Sequence, residues 1–78
     1  METYKVTVDE YGDIRWRSDD GKRHRLDGPA VESSDGSKFW YQNDKLHRLD
    51  GPAIEYGDGD KSWYIKGVSY TEAEFNAK

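Results

Sequence analysis

Two stretches of this chain bring together side chains that could do chemistry. His24-Arg25-Leu26-Asp27-Gly28-Pro29 recurs 23 residues later as His47-Arg48-Leu49-Asp50-Gly51-Pro52. An imidazole close in sequence to a carboxylate (His24 with Asp27, His47 with Asp50) is the raw material of a proton-transferring pair. Lys22, Arg23, His24 and Arg25 form a local basic cluster, and with His47 and Arg48 beside it they could hold a phosphate, a nucleotide or an acidic protein surface.

Each of these chemistries has a plainer competitor. Asp accepts backbone amides in turns, Gly gives free φ, and Pro ends a turn before a strand. Asp27, Gly28, Pro29, Asp50, Gly51 and Pro52 therefore read first as a structural loop, with Arg25 and Arg48 paired to a loop Asp and each His donating to a carbonyl. No Ser or Cys stands in a nucleophile elbow and no Gly-rich phosphate loop precedes a helix, so no enzyme is expected. Two His from separate repeats and no Cys make a poor metal set. Asp58 and Asp60 around Gly59 lack the spacing and closing Glu of a calcium loop. No metal and no cofactor is expected. Arg15 and Arg17 interleave with Tyr11 and Trp16 as in single-strand binders, but a net charge of −4 argues against nucleic acid. The acidic residues are scattered among Lys and Arg, which is a poor imitation of a nucleic-acid backbone.

The elements that position these loops follow from the repeat. Arg25 through Glu32 matches Arg48 through Glu55 with one Val/Ile exchange, and His precedes both. At the same offset Asp35-Gly36 pairs with Asp58-Gly59, Trp40-Tyr41 with Trp63-Tyr64. The chain divides into a partial unit at 4–23, units at 24–46 and 47–70, and a C-terminal segment at 71–77, all in a single domain spanning 1–78. The first connection carries one extra residue, placed in the turn Ser18-Asp19-Asp20-Gly21. Alternation and turn residues predict strands at Tyr4–Val8, Ile14–Arg17, Ala30–Ser33, Lys38–Gln42, Ala53–Tyr56, Lys61–Lys66 and Val68–Tyr70. Thr71-Glu72-Ala73-Glu74 fits a capping box, which predicts a short helix over Glu72–Asn76 with Phe75 packed on the sheet.

The fold class is mainly β: an antiparallel meander of repeated hairpins with a short C-terminal helix. Strict alternation puts Trp16, Trp40 and Trp63 on one face with Val31 and Ile54, and Phe39, Tyr41 and Tyr64 on the other. That second, aromatic face is a candidate contact surface.

Composition sets limits. Hydrophobic residues make up 33% of the chain and charged residues 36%, so the core must be thin and filled by rings. Without Cys a disulfide framework is impossible, which favours a reducing compartment, and a cytoplasmic location is expected. Met-Glu-Thr-Tyr-Lys opens the chain with no apolar stretch behind it, against a signal peptide or a membrane span. A thin core and two open sheet edges favour self-association, with Tyr4–Val8 as the dimer edge.

The His-Arg-Leu-Asp-Gly-Pro-Ala segments, the Asp-Gly hairpins, the Trp-Tyr strands and the final Thr-Glu-x-Glu-Phe resemble a family of small repeat proteins of bacteriophages and large DNA viruses. The units are similar to the MORN repeat, a hairpin repeat used as an interaction scaffold. The resemblance covers about residues 11–76. It implies a hairpin array and a viral origin, and carries no general biochemical function. The expected role is a non-enzymatic module that binds a host protein, such as a component of a defence system, and inhibits or modulates it. Phe39, Tyr41, Tyr64, Arg23, Arg25 and Arg48 are its expected contacts. The alternative is a protein that sequesters a nucleotide or other anion with His24, Arg25, His47 and Arg48, across a homodimer.

Overall fold

Turn residues set the ends of nearly every strand in the computed structural model, which describes residues 4–77. Met1-Glu2-Thr3 and Lys78, part of the single domain expected from the sequence, lie outside the described residues. The strands are β1 (Lys5–Val8), β2 (Ile14–Arg17), β3 (Val31–Glu32), β4 (Lys38–Phe39), β5 (Tyr41–Gln42), β6 (Lys45–Leu46), β7 (Ile54–Glu55), β8 (Lys61–Ile65) and β9 (Val68–Tyr70), followed by the helix α1 (Glu72–Asn76). Seven strands form one antiparallel sheet in the order β1-β2-β3-β4-β7-β8-β9, and β5 and β6 pair as a separate hairpin between β4 and β7. The molecule is a mainly β meander with one short helix, as expected. Thr71 Oγ1 accepts from the Glu74 amide at 3.1 Å while Glu74 Oε1 accepts from the Thr71 amide at 2.8 Å, which completes the capping box. α1 packs on β8 and β9, and Phe75 is its one half-buried residue.

The connections behave as their lengths require. Asn43-Asp44 and Lys66-Gly67 are two-residue turns with positive φ at both positions, the geometry that matches strand twist. In the first unit the same connection is a three-residue loop, Asp19-Asp20-Gly21, closed by the Ser18 amide on the Lys22 carbonyl at 2.8 Å. The extra residue therefore lies where the sequence placed it.

Three expectations need correction. The strand expected at Lys38–Gln42 breaks at Trp40, whose amide turns to the Ala53 carbonyl and whose carbonyl accepts from the His47 amide. The backbone of Trp40 serves the following motif loop instead of the ladder. The β5–β6 hairpin was not expected at all. The third correction concerns the faces. Arg15 lies opposite Val31, Val31 opposite Phe39, Phe39 opposite Ile54, and Ile54 opposite Ser62. Residues directly opposite in an antiparallel pair share a face. Val31 and Ile54 thus belong with Phe39, not with the Trp residues.

The buried apolar residues are Ala30, Val31, Ala53 and Ile54, the last residue of each motif and the first of the strand that follows. The core is as thin as the composition required. The three Trp and two Phe residues are half-buried.

Candidate functional site

The two motif loops are built on one set of bonds. The His24 amide donates to Trp16 O at 3.0 Å and the His47 amide to Trp40 O at 2.9 Å. The Arg25 amide reaches Tyr41 O, and the Arg48 amide reaches Tyr64 O, both at 3.1 Å. Each imidazole accepts at Nδ1: Asn43 N–H donates to His24 Nδ1 at 3.0 Å and Lys66 N–H to His47 Nδ1 at 2.9 Å. The bond requires an unprotonated Nδ1 and so fixes the tautomer. It also ties each motif loop to the turn 19 residues ahead, which the sequence reading, with His as donor, did not foresee.

Each motif arginine sits at the centre of its loop. Arg25 lies 3.7 Å over the Trp16 ring and Arg48 3.9 Å over the Trp40 ring. Nε donates to the loop carboxylate, Asp27 at 3.0 Å or Asp50 at 2.8 Å. Nη1 donates to Pro29 O at 3.3 Å or Pro52 O at 3.1 Å. A second acid follows, Glu32 at 4.0 Å and Glu55 at 3.0 Å. What lies on these two indoles is thus a guanidinium, and cation–π contact adds to the ion pair. At the third position Thr71 replaces Arg, and α1 packs there on β8 and β9.

This arrangement revises the role of the motif glycines. A Cβ on Gly28 would come within 3.0 Å of the Arg25 guanidinium carbon, and one on Gly51 within 3.1 Å of that of Arg48. Neither glycine has a positive φ. Gly lets the guanidinium lie against the backbone here, and a larger residue would push the arginine outward; a positive φ is not the reason.

The electrostatics follow the bonds. The Nε–H of Arg48 holds the Asp50 carboxyl below its ordinary value. Asp44 is lowered by the Arg23 backbone amide, at 2.8 Å, and then by the Arg23 side chain, at 3.0 Å. Asp9 is lowered by Arg15, which donates to it at 2.9 Å.

The structure places the expected contact residues in two groups. Phe39, Tyr41 and Tyr64 are half-buried. Phe39 meets Tyr56 edge-on at 6.4 Å, and Arg23 lies 4.1 Å over Tyr41. Arg25 and Arg48 are the loop centres just described. Between the two loops lies a cleft of about 520 Å³, bounded by Leu26, Pro29, Trp40, Gln42, Leu49 and the acidic Asp27 and Asp50. Leu26 and Leu49 are 56% and 69% exposed. Sequence reasoning missed them. The sequence shows only that Leu recurs at one position of the motif; that neither copy is buried appears once both loops are in place.

No family model, curated protein or solved structure matches the chain.

Proposed function

We propose that the chain is a non-enzymatic protein-binding module of the cytoplasm, and that it contacts a host protein through the edge carrying Leu26 and Leu49. One observation carries this reading: at equivalent positions of both motif copies a leucine stands more than half exposed beside the shared cleft, while the motif's charged groups are bonded within the fold. Contiguous exposed apolar surface marks an interaction site, and these two leucines border one cleft. Asp27 and Asp50 flank them, each already paired with the arginine of its own loop, so the fitting partner segment is apolar. The resemblance to viral hairpin repeats supports a host protein as the target. That this target is inhibited or modulated is an analogy with small phage proteins, many of which bind and block a host enzyme. Among the described residues no helix is long and apolar enough to cross a membrane.

The test places a photo-crosslinking side chain at position 42, which lines the same cleft, with a control at exposed Tyr11, in host lysate. One protein crosslinked from position 42 and not from Tyr11, and lost when Leu26→Ser and Leu49→Ser are added with unchanged unfolding, is the expected result. Crosslinks that survive the double variant, or no specific crosslink, overturn the assignment.

The alternative, an anion- or nucleotide-sequestering protein using His24, Arg25, His47 and Arg48, draws less support. Both guanidinium groups already face two carboxylates, so a bound anion would displace them. A nucleotide that raises the unfolding temperature at millimolar concentration would restore that reading.

A further inference from the structure

β1 is the first strand of the sheet, and among the described residues its outer edge pairs with nothing. All four of its residues are exposed, Val6 at 47% and Val8 at 65%. It contains no Pro and no bulge, two of the devices that blunt an edge. At the other end of the sheet α1 packs on β9.

The bonding pattern shows which groups of β1 face outward. Asp9 N–H donates to Asp13 O at 3.0 Å, so Asp9 and Asp13 form a hydrogen-bonded pair just beyond the strand. Pairs alternate along an antiparallel ladder. In the observed register Thr7 with Arg15 and Lys5 with Arg17 are then bonded pairs, and Val6 with Trp16 and Val8 with Ile14 are not. Trp16 confirms the alternation, because its amide and carbonyl turn away from β1, to Ala30 O and the His24 amide. The N–H and C=O groups of Val6 and Val8 therefore point outward.

We infer that a second copy of this chain pairs with β1, antiparallel and two-fold symmetric about Thr7. Only an even register keeps each face of the two sheets continuous. Centring the axis on Thr7 sets Val6 of each copy opposite Val8 of the other, and the four outward N–H groups of the two strands meet the four outward C=O groups. The same register sets Lys5 opposite Asp9 of the second copy, twice. Within its own chain Lys5 faces Arg17, a like charge that an opposing Asp9, shared with Arg15, offsets in part. The four valines then form one apolar row continuous with Trp16 and Ile14, and two threonines meet at the axis, a favourable cross-strand pair. Centring on Val6 instead would leave Lys5 opposite Thr7. This interface is separate from the leucine edge, and either can fail without the other.

Sedimentation equilibrium of the full chain from micromolar to millimolar concentration tests the assignment. The expected result is a monomer–dimer equilibrium that stops at two copies. Val8→Pro removes only an outward N–H, which edge strands tolerate, and should raise the dissociation constant by about tenfold or more. Lys5→Glu places like charges opposite each other between copies while facing Arg17 favourably within the chain. It should weaken the dimer by roughly threefold to tenfold without lowering the stability of the monomer. A monomer at every concentration, a mass that grows beyond two copies, or a dimer indifferent to both variants overturns the inference.

Discussion

The first and second motif loops have the same side chains on the same bonds, yet the first is better covered. His24 is 7% exposed, whereas His47 is half-buried. The difference comes from Tyr4, just ahead of β1. Its ring meets Trp16 edge-on at 5.3 Å and lies 6.3 Å from His24, and its hydroxyl accepts from the Leu26 amide at 3.1 Å. The second loop compensates with charge: Glu55 sits 3.0 Å from Arg48, where Glu32 is 4.0 Å from Arg25. The motif thus specifies its own bonds but not its own burial. Burial is supplied by the neighbouring unit, as in any array where each repeat contacts only the next.

The most severe way to break the equivalence is at the hairpin tips. Gly57 corresponds to Ser34 of the preceding unit. A Cβ on Gly57 would lie 2.2 Å from the Asp35 backbone oxygen, because the two hairpins stack there, with the Gly57 amide on Ser37 Oγ at 3.0 Å. Ser34 meets no such obstacle; its Cβ lies 3.8 Å from the Cβ position of Gly12. Gly57→Ser, which makes the second hairpin like the first, should cost about 3 kcal/mol or more, since backbone cannot yield as a side chain can. Ser34→Gly should cost under about 1 kcal/mol. Urea midpoints of the two variants measure the contrast, and similar losses would show that the stacking is not what separates the units.

The repeat, the turns other than Asn43-Asp44, most strand positions to within a residue, the extra residue of the first connection and the capping box were legible, because each depends on local chemistry. The face assignment failed for a different reason. Alternation says which neighbours within a strand share a face, but only register relates one strand to the next. Register was in fact readable from the turn Ser34-Asp35-Gly36, which closes Ser33 on Ser37 and so sets Val31 opposite Phe39. The break at Trp40 was hidden, because its cause is a loop that begins seven residues later. The β5–β6 hairpin could have been found by carrying the Lys66-Gly67 turn back one repeat to Asn43-Asp44. The leucine cleft was the least visible, since it needs both loops in place before it exists.

The imidazoles give a contrast of intermediate size. His24→Ala leaves the Asn43 amide without its acceptor and opens a cavity beneath Tyr4, at a cost of about 2–4 kcal/mol. His47→Ala leaves the Lys66 amide in an exposed turn where water can replace the ring, and should cost about 1 kcal/mol. Equal losses would mean that Tyr4 contributes no burial of consequence. Adding Tyr4→Ala should then bring the cost of His24→Ala down toward that of His47→Ala, the non-additivity expected of side chains in contact.

The smallest effects concern acid. Asp44, beside the first loop, is held below the 3.8 of a free aspartate by the amide and side chain of Arg23, and Asp50, in the second, by the side chain of Arg48. The unfolded chain therefore takes up protons at these two carboxyls at a higher pH than the folded chain does. Their stabilisation is fully present above the unfolded value, from about pH 5 upward, and is lost as the pH falls through 3.8 toward the lower folded-state values. Asn at either position removes its share of that acid limb. The share of Asp44 should be the larger, because it accepts from a backbone amide, which cannot swing away, as well as from a guanidinium; the Asp50 pair is a single side-chain bond in solvent. Urea midpoints of Asp44→Asn, Asp50→Asn and the parent at pH 6, 4 and 3 check the order. A steeper flattening for Asp50→Asn would place the stronger electrostatic hold in the second loop and reverse the contrast between the two copies.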